Sequence, residues 1–282
     1  MLLTVTAAYA TEVVIGSNST NVGTIVFVSP TPGDSAQANG TALLNTLAGI
    51  TADASNPYLI RLGPGIYDLG TCDTSGTPPF SCVLYLKEYI DIEGSGENTT
   101  KITGSMDGGA TSPPVAGTVM GADNAEIRFL TIENTSTGYA RAIFNLNASP
   151  SILNVTATGS GGTNNYGVTN NSSAPRLTNV TAKASGGAVS QGVLNSSSAP
   201  IMTNVTATGK DGTTNYGVRN VQTSSPEMTN VIATASGGTN NYGVFSGNSS
   251  SVKISHSVIQ GTTAISNGSG VTTLLAYTQL DG

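Results

Sequence analysis

Apolar positions recur along this chain in short alternating runs that repeat about every 25 residues. The pair Asn-Val marks the beat, at Asn154-Val155, Asn179-Val180, Asn204-Val205 and Asn230-Val231, spaced 25, 25 and 26 residues apart. Ile254-Ser255-His256 continues this landmark. A second landmark keeps step: Arg141-Ala142-Ile143, Tyr166-Gly167-Val168, Gln191-Gly192-Val193, Tyr216-Gly217-Val218 and Tyr242-Gly243-Val244. Turn sequences such as Ser-Gly-Gly-Thr-Asn and Ser-Ser-Ala-Pro lie between the landmarks. A fixed period of this length predicts a solenoid whose units pack only on their neighbours. The apolar runs are too short, too rich in Thr and Val, and too often broken by Gly and Pro for helical repeats. The predicted fold class is therefore all-β: a single-stranded, right-handed parallel β-helix with two or three short strands per coil.

Aligning the coils separates inside from outside. Ile152, Leu177, Met202, Met228 and Ile254 form one apolar column. Val155, Val180, Val205 and Val231 form a second, and Ala157, Ala182, Ala207 and Ala233 a small third. The residues between them, Thr156, Thr181, Thr206 and Ile232, then Thr158, Lys183, Thr208 and Thr234, are assigned to the outer face, where Lys183 can reach water. On the other strand Val168, Val193, Val218 and Val244 point inward, followed two residues later by Asn170, Asn195 and Asn220. Stacked inward amides can satisfy one another along the axis, so these three predict an asparagine ladder.

The whole chain, 1–282, reads as one β-helix domain. Residues 1–23 are a lead-in, 24–58 hold a first strand and a capping helix, 59–126 are irregular coils, and 127–282 are regular coils. The helix is expected between Asp34 and Ile50, with Leu43, Leu44, Leu47 and Ile50 on one face. It would cover the open N-terminal end of the solenoid. No cap is evident at the C-terminal coil, Leu274 to Thr278, which makes that end a candidate surface for self-association. Ala8-Tyr9-Ala10 reads either as the remnant of a secretory cleavage site or as part of the first strand. Cys72 and Cys82 bracket a Pro/Gly/Ser/Thr-rich loop; they are expected to form a disulfide, which implies an oxidising compartment.

Composition narrows the function classes. Charged residues make up 9% of the chain and the net charge is −6, with no cluster of Lys and Arg. That argues against a nucleic-acid partner. No apolar run is long enough to span a membrane. No metal site or cofactor is expected.

Arg61-Leu-Gly-Pro-Gly-Ile-Tyr67, Ile90-Asp-Ile-Glu-Gly-Ser-Gly96 and Thr100-Lys-Ile-Thr-Gly104 resemble the opening coils of pectin methylesterases and other pectin-lyase-like β-helices, over roughly residues 24–104. The later Thr-Asn-Val-Thr-Ala-Thr coils resemble bacterial β-helix repeat proteins, some attached to surface or tail-fibre modules. The resemblance implies the β-helix fold. It does not carry an activity, because the Gln-Asp-Thr and Asp-Phe-Ile-Phe-Gly segments of the esterases are missing. So is the Asp-Asp pair of polygalacturonases, and Ser255-His256-Ser257 matches their Ser-His-Gly only in part.

Three sets of residues remain as candidate chemistry. The early coils place Asp91 in a column with Arg61 and Thr131, and Glu93 in a column with Glu133. Two carboxylates on adjacent coils, about 4.8 Å apart, can raise one pKa, attract a cation or cleave a glycoside; alternatively they form a solvated charge ladder. The outer Thr array could match an ice surface. Tyr166, Tyr216 and Tyr242 could stack on sugars. The sole histidine, His256, reads as a bend residue in the Asn154 column. The leading expectation is a non-catalytic, extracellular or surface-displayed adhesive module that presents a rigid face to a polysaccharide or a surface protein. The alternatives are a carbohydrate-active enzyme acting at Asp91, Glu93 and Glu133, and an ice-binding protein.

Overall fold

A computed structural model describes residues 23–71, 79–109 and 116–282. The lead-in with Ala8-Tyr9-Ala10 lies outside the described residues, and so does Cys72, one half of the expected disulfide.

Every strand pairing is parallel, and the strands form two sheets. The longer sheet follows the axis from Thr24–Val28 to Thr272–Ala276, and the second holds eight strands. In a regular coil, Ile201–Thr203 and Thr206–Lys210 belong to the first sheet, and Thr214–Val221 crosses to the second. This is the expected all-β parallel β-helix. Its core is one continuous apolar column set running from Val28 to Ile259. Ile127, Ile152, Leu177, Met202, Met228 and Ile254 stack in register, and so do Ile143, Val168, Val193, Val218 and Val244. Stacking identical or similar residues lets each coil bury its apolar face against the next.

The recurring Asn-Val has a backbone cause. Asn154, Asn179, Asn204 and Asn230 all have φ between +52° and +55°, and they turn the chain from one side of the coil to the next. Asn tolerates this left-handed conformation better than most residues. Phe129, His256 and Tyr277 occupy the same column with φ of +55°, +51° and +49°, so His256 is a bend residue, as its column predicts.

Two amide ladders result. The inward one runs Asn145–Asn170–Asn195–Asn220, each Nδ2 donating to the next Oδ1 at 2.8 Å, and ends on Ser246 Oγ at 3.2 Å. The second joins the bend residues: Asn179 to Asn154, Asn204 to Asn179 and Asn230 to Asn204, at 3.0, 2.9 and 2.7 Å. The second ladder is exposed.

The helix spans Ala36–Gly49, with Ser35 Oγ accepting from Ala38 N–H. Leu43 and Leu47 are buried, and Leu44 and Ile50 pack against the same core. The helix lies close on Gly65–Thr71: a Cβ at Gly40 would sit 2.1 Å from Asp68 O. Its C-terminal carbonyls are held by Lys87, whose Nζ donates to Leu47 O, Ala48 O and Ile50 O at 2.7, 3.2 and 3.1 Å. At the opposite end Leu274, Leu275, Tyr277 and Leu280 are exposed.

Candidate functional site

The early coils bring charge together, in a different register from the expected one. Arg61 pairs with Glu93, and Glu93 with Arg128. Asp91 stands beside Leu59, one outward position away. Glu133 lies beyond the Phe129 bend, opposite Thr103 and Thr158, and pairs with Lys101 at 3.1 Å. The expected Glu93–Glu133 column does not exist, nor does the Arg61–Asp91–Thr131 column. The coil lengths explain the error. Ile60 to Ile92 spans 32 residues and Ile92 to Ile127 spans 35, so no constant period fixes the register here. At the first interface the slip is two residues, which leaves each side chain on its expected face while changing its axial neighbour; at the second Glu93 meets Arg128, five residues before Glu133.

The cluster that does form is Arg61, Asp91, Glu93, Glu126 and Arg128. Glu93 receives Arg61 at 2.7 Å and Arg128 Nε at 2.9 Å. Arg128 also reaches Glu126 at 2.5 Å and Asp91 at 3.6 Å, and Glu126 N–H donates to Asp91 at 2.9 Å. Burial works to raise the Glu93 pKa, but the hydrogen bonds from Arg128 and Arg61 overcome it and hold the carboxyl below its ordinary range. Burial pushes Asp91 up, only partly offset by the Glu126 N–H and by Arg128. Glu93 is thus a locked anion, spanned by two guanidiniums. Among the described residues no group of three or more His, Cys, Asp or Glu is arranged to hold a metal.

Beside this cluster lies an open cleft of about 480 Å³, bounded by Phe27 and Phe129 and floored by Gly63, Gly94 and Gly96. Neither phenylalanine was among the residues singled out from sequence.

The Thr array is not a clean face. Thr156 Oγ1 donates to Glu97 Oε2 at 2.6 Å and Thr131 Oγ1 to Glu97 O at 2.7 Å. Lys183 stands between Thr158 and Thr208, and Ile232 follows Thr206. The remaining Thr181, Thr206, Thr208 and Thr234 form a short patch.

The tyrosine column departs from expectation in a more telling way. Tyr166 is buried, not exposed. Tyr216 and Tyr242 stack face to face with centroids 5.4 Å apart, so their ring faces are already used. In register, the outward columns of the second sheet read Arg141, Tyr166, Gln191, Tyr216, Tyr242 and, beside them, Phe144, Thr169, Leu194, Arg219, Phe245. Arg141 packs its guanidinium against the rings of Tyr139, Phe144 and Tyr166 at 5.2, 5.4 and 5.0 Å and donates to Gly108 O and Gly109 O, both at 2.9 Å. Arg219 repeats the motif over Tyr216 and Phe245 at 5.1 and 5.8 Å. Burial lowers the Arg141 pKa and raises those of Tyr166 and Tyr216. A satellite cluster of Phe80, Val83, Met106, Ala116 and Met120 packs on Phe144 and walls off the Arg141 end.

This stripe contains four of the seven buried side-chain polar atoms left without a hydrogen-bond partner among the described residues: Arg141 Nε, Thr169 Oγ1, Gln191 Oε1 and Arg219 Nε. Buried polar groups are nearly always paired, and a cluster of exceptions calls for an explanation. Neither column contains a carboxylate or an imidazole, and neither arginine is in an ion pair among the described residues. In sequence the only sign of this site is that Arg141 and Gln191 interrupt the tyrosines.

Comparison with solved structures places the architecture. The pectin methylesterase from carrot superposes with a TM-score of 0.54 at 13% identity, over 84% of this chain and 78% of that one. The two share the parallel β-helix fold. Rice weevil pectin methyl esterase is similar at 14% identity, with a TM-score of 0.43, over 95% of this chain and 90% of that one. PemA from Erwinia chrysanthemi is similar at 10% identity, with a TM-score of 0.39, over 92% of this chain and 94% of that one. No protein-family model matches the chain, and no curated protein does. At these identities the likeness carries fold and not activity. No helix among the described residues is long and apolar enough to cross a membrane.

Proposed function

We propose that this pectin-lyase-like β-helix is a non-catalytic module, outside the cell or on its surface, that binds an acidic polysaccharide along the outer stripe of its second sheet. The observation that carries this reading is Arg219, a partly buried guanidinium that lies over the rings of Tyr216 and Phe245 and has no ion-pair partner among the described residues. The partly buried rings of Tyr216, Tyr242 and Phe245 surround it on two adjacent coils. A guanidinium without a carboxylate partner, set among rings that can pack on a sugar, suits a chain that carries carboxylates. Arg forms its strongest hydrogen bonds with such groups. The stripe offers no carboxylate or imidazole to act as general acid, general base or nucleophile, which favours binding over turnover. At the other candidate centre, Glu93 is held by Arg61 and Arg128.

The test is calorimetric titration of the full chain with a galacturonate oligomer, followed by chromatography of that oligomer. Binding is expected, weakening with added salt, and the oligomer should be recovered intact. Arg219→Ala, at a partly buried position, should weaken binding about tenfold with a smaller loss of melting temperature than a core substitution. Absence of binding, or binding indifferent to Arg219→Ala, would overturn the site; a shortened or chemically altered oligomer would overturn the non-catalytic reading.

A further inference from the structure

We infer a second saccharide site, for neutral sugars, in the Phe27–Phe129 cleft of the first sheet. Four observations converge there. Phe27 and Phe129 are 49% and 38% exposed, unusual for rings that make no contact with another ring among the described residues. Phe129 sits at φ +55°, where the next four coils place Asn. A left-handed backbone is a cost for a bulky residue, and the ring still leaves 38% of its surface in water. At the far end of the same column His256 and Tyr277 stack on each other at 5.1 Å, a compensation Phe129 does not have. The floor between the two rings is glycine, and a Cβ at Gly94 would meet Phe129 O at 2.4 Å. Between the rings stands the Arg61–Glu93 pair, fixed from beneath by Arg128.

This combination recognises a sugar with vicinal hydroxyls. Phe27 and Phe129 offer apolar faces three coils, or about 14 Å, apart. Arg61 is half-exposed and brings donors, and Glu93 brings acceptors already held in place, so little ordering is needed on binding. Charge decides between sugar classes. The charged side chains that line the cleft, Arg61 and Glu93, neutralise each other, whereas the stripe on the second sheet carries only cationic side chains. An acidic chain therefore gains nothing from charge here and is attracted there.

The inference is tested on the full chain by titrating cellotetraose, mannotetraose and a galacturonate oligomer, with Phe129→Asn and Phe27→Thr as variants. Phe129→Asn installs the residue that the following coils use and is expected to keep or raise the melting temperature. It should weaken binding of a neutral tetrasaccharide about tenfold and leave galacturonate binding unchanged; Phe27→Thr should do the same. Failure of both neutral tetrasaccharides to bind would overturn the inference, and so would neutral binding that survives both variants. Loss of neutral binding in Arg219→Ala would place the sugar on the other sheet and also overturn it. None of the three overturning outcomes depends on whether the acidic oligomer binds.

Discussion

At the scale of single residues, the two amide ladders carry different energies despite their common chemistry. Asn195 is fully buried, accepting from Asn170 and donating to Asn220. Replacing it with Ala strands a buried donor and a buried acceptor, at about 3 kcal/mol. Asn204 has the same two kinds of partner but lies in water, so Asn204→Ala costs about 1 kcal/mol, mainly for the left-handed backbone. Denaturant unfolding of the two variants should show this inequality; equal losses would mean that burial does not set the worth of the ladder. The charged cluster gives a second contrast, in pH. The folded-state pKa of Glu93 is lowered, so its stabilisation is present above the ordinary glutamate range and is lost as pH falls through the lowered value. That of Asp91 is raised, so its stabilising contribution is full in acid, below its unfolded pKa, and is lost as pH rises through the raised value. Glu93→Gln should therefore destabilise at neutral pH, by about 2 kcal/mol for the lost charge-assisted hydrogen bonds. Asp91→Asn should stabilise there, and both effects should fade in acid. Melting curves at neutral and acid pH check the signs, and two effects of the same sign at neutral pH would contradict the assignment.

At the scale of elements, the helix and the regular strands were legible because each repeats or alternates in a way that only one structure satisfies. The inward Val columns, the Asn170–Asn195–Asn220 ladder and the helix face of Leu43, Leu44, Leu47 and Ile50 all follow from spacing. Register in the early coils did not, because Ile60 to Ile92 and Ile92 to Ile127 hold 32 and 35 residues, more than the period of the later coils. The residues of the two proposed sites were hidden for a different reason. Arg219 and Phe129 are departures from their columns, and a search for regularity discounts departures. The helix itself offers a test against ordinary propensity. Gly→Ala within a helix normally stabilises by about 1 kcal/mol. Gly40→Ala should instead destabilise, because its Cβ would collide with Asp68 backbone 2.1 Å away. Lys87→Met should also weaken the cap, by about 1–2 kcal/mol, since three helix-end carbonyls lose their donor. Helix-region hydrogen exchange reports both, and a stabilised Gly40→Ala would mean that the helix does not dock this closely.

At the scale of the whole molecule, stability in a solenoid is close to a sum over coils and the interfaces between them, so it need not be uniform along the axis. An interior coil such as the one carrying Val180, Ala182 and Val193 is essentially solvent-free and hydrogen-bonds to a neighbour on each side. The coil carrying Thr272–Ala276 and Gln279–Asp281 pairs on one side only, and Leu275 and Leu280 are 47% and 48% exposed. Native-state hydrogen exchange should therefore show a gradient. Amides around Val180 to Val205 should open only with global unfolding, and those from Thr272 to Asp281 through local fraying at much lower free energy. An acidic oligosaccharide lying across the coils from Leu194 to Phe245 would couple two interfaces, so its saturation should raise protection throughout that span and leave the last coil unchanged. Exchange that is uniform from end to end, moving as a single block with and without the oligomer, would show that the coils do not act as separable units and would remove the physical basis for a ligand that clamps some of them.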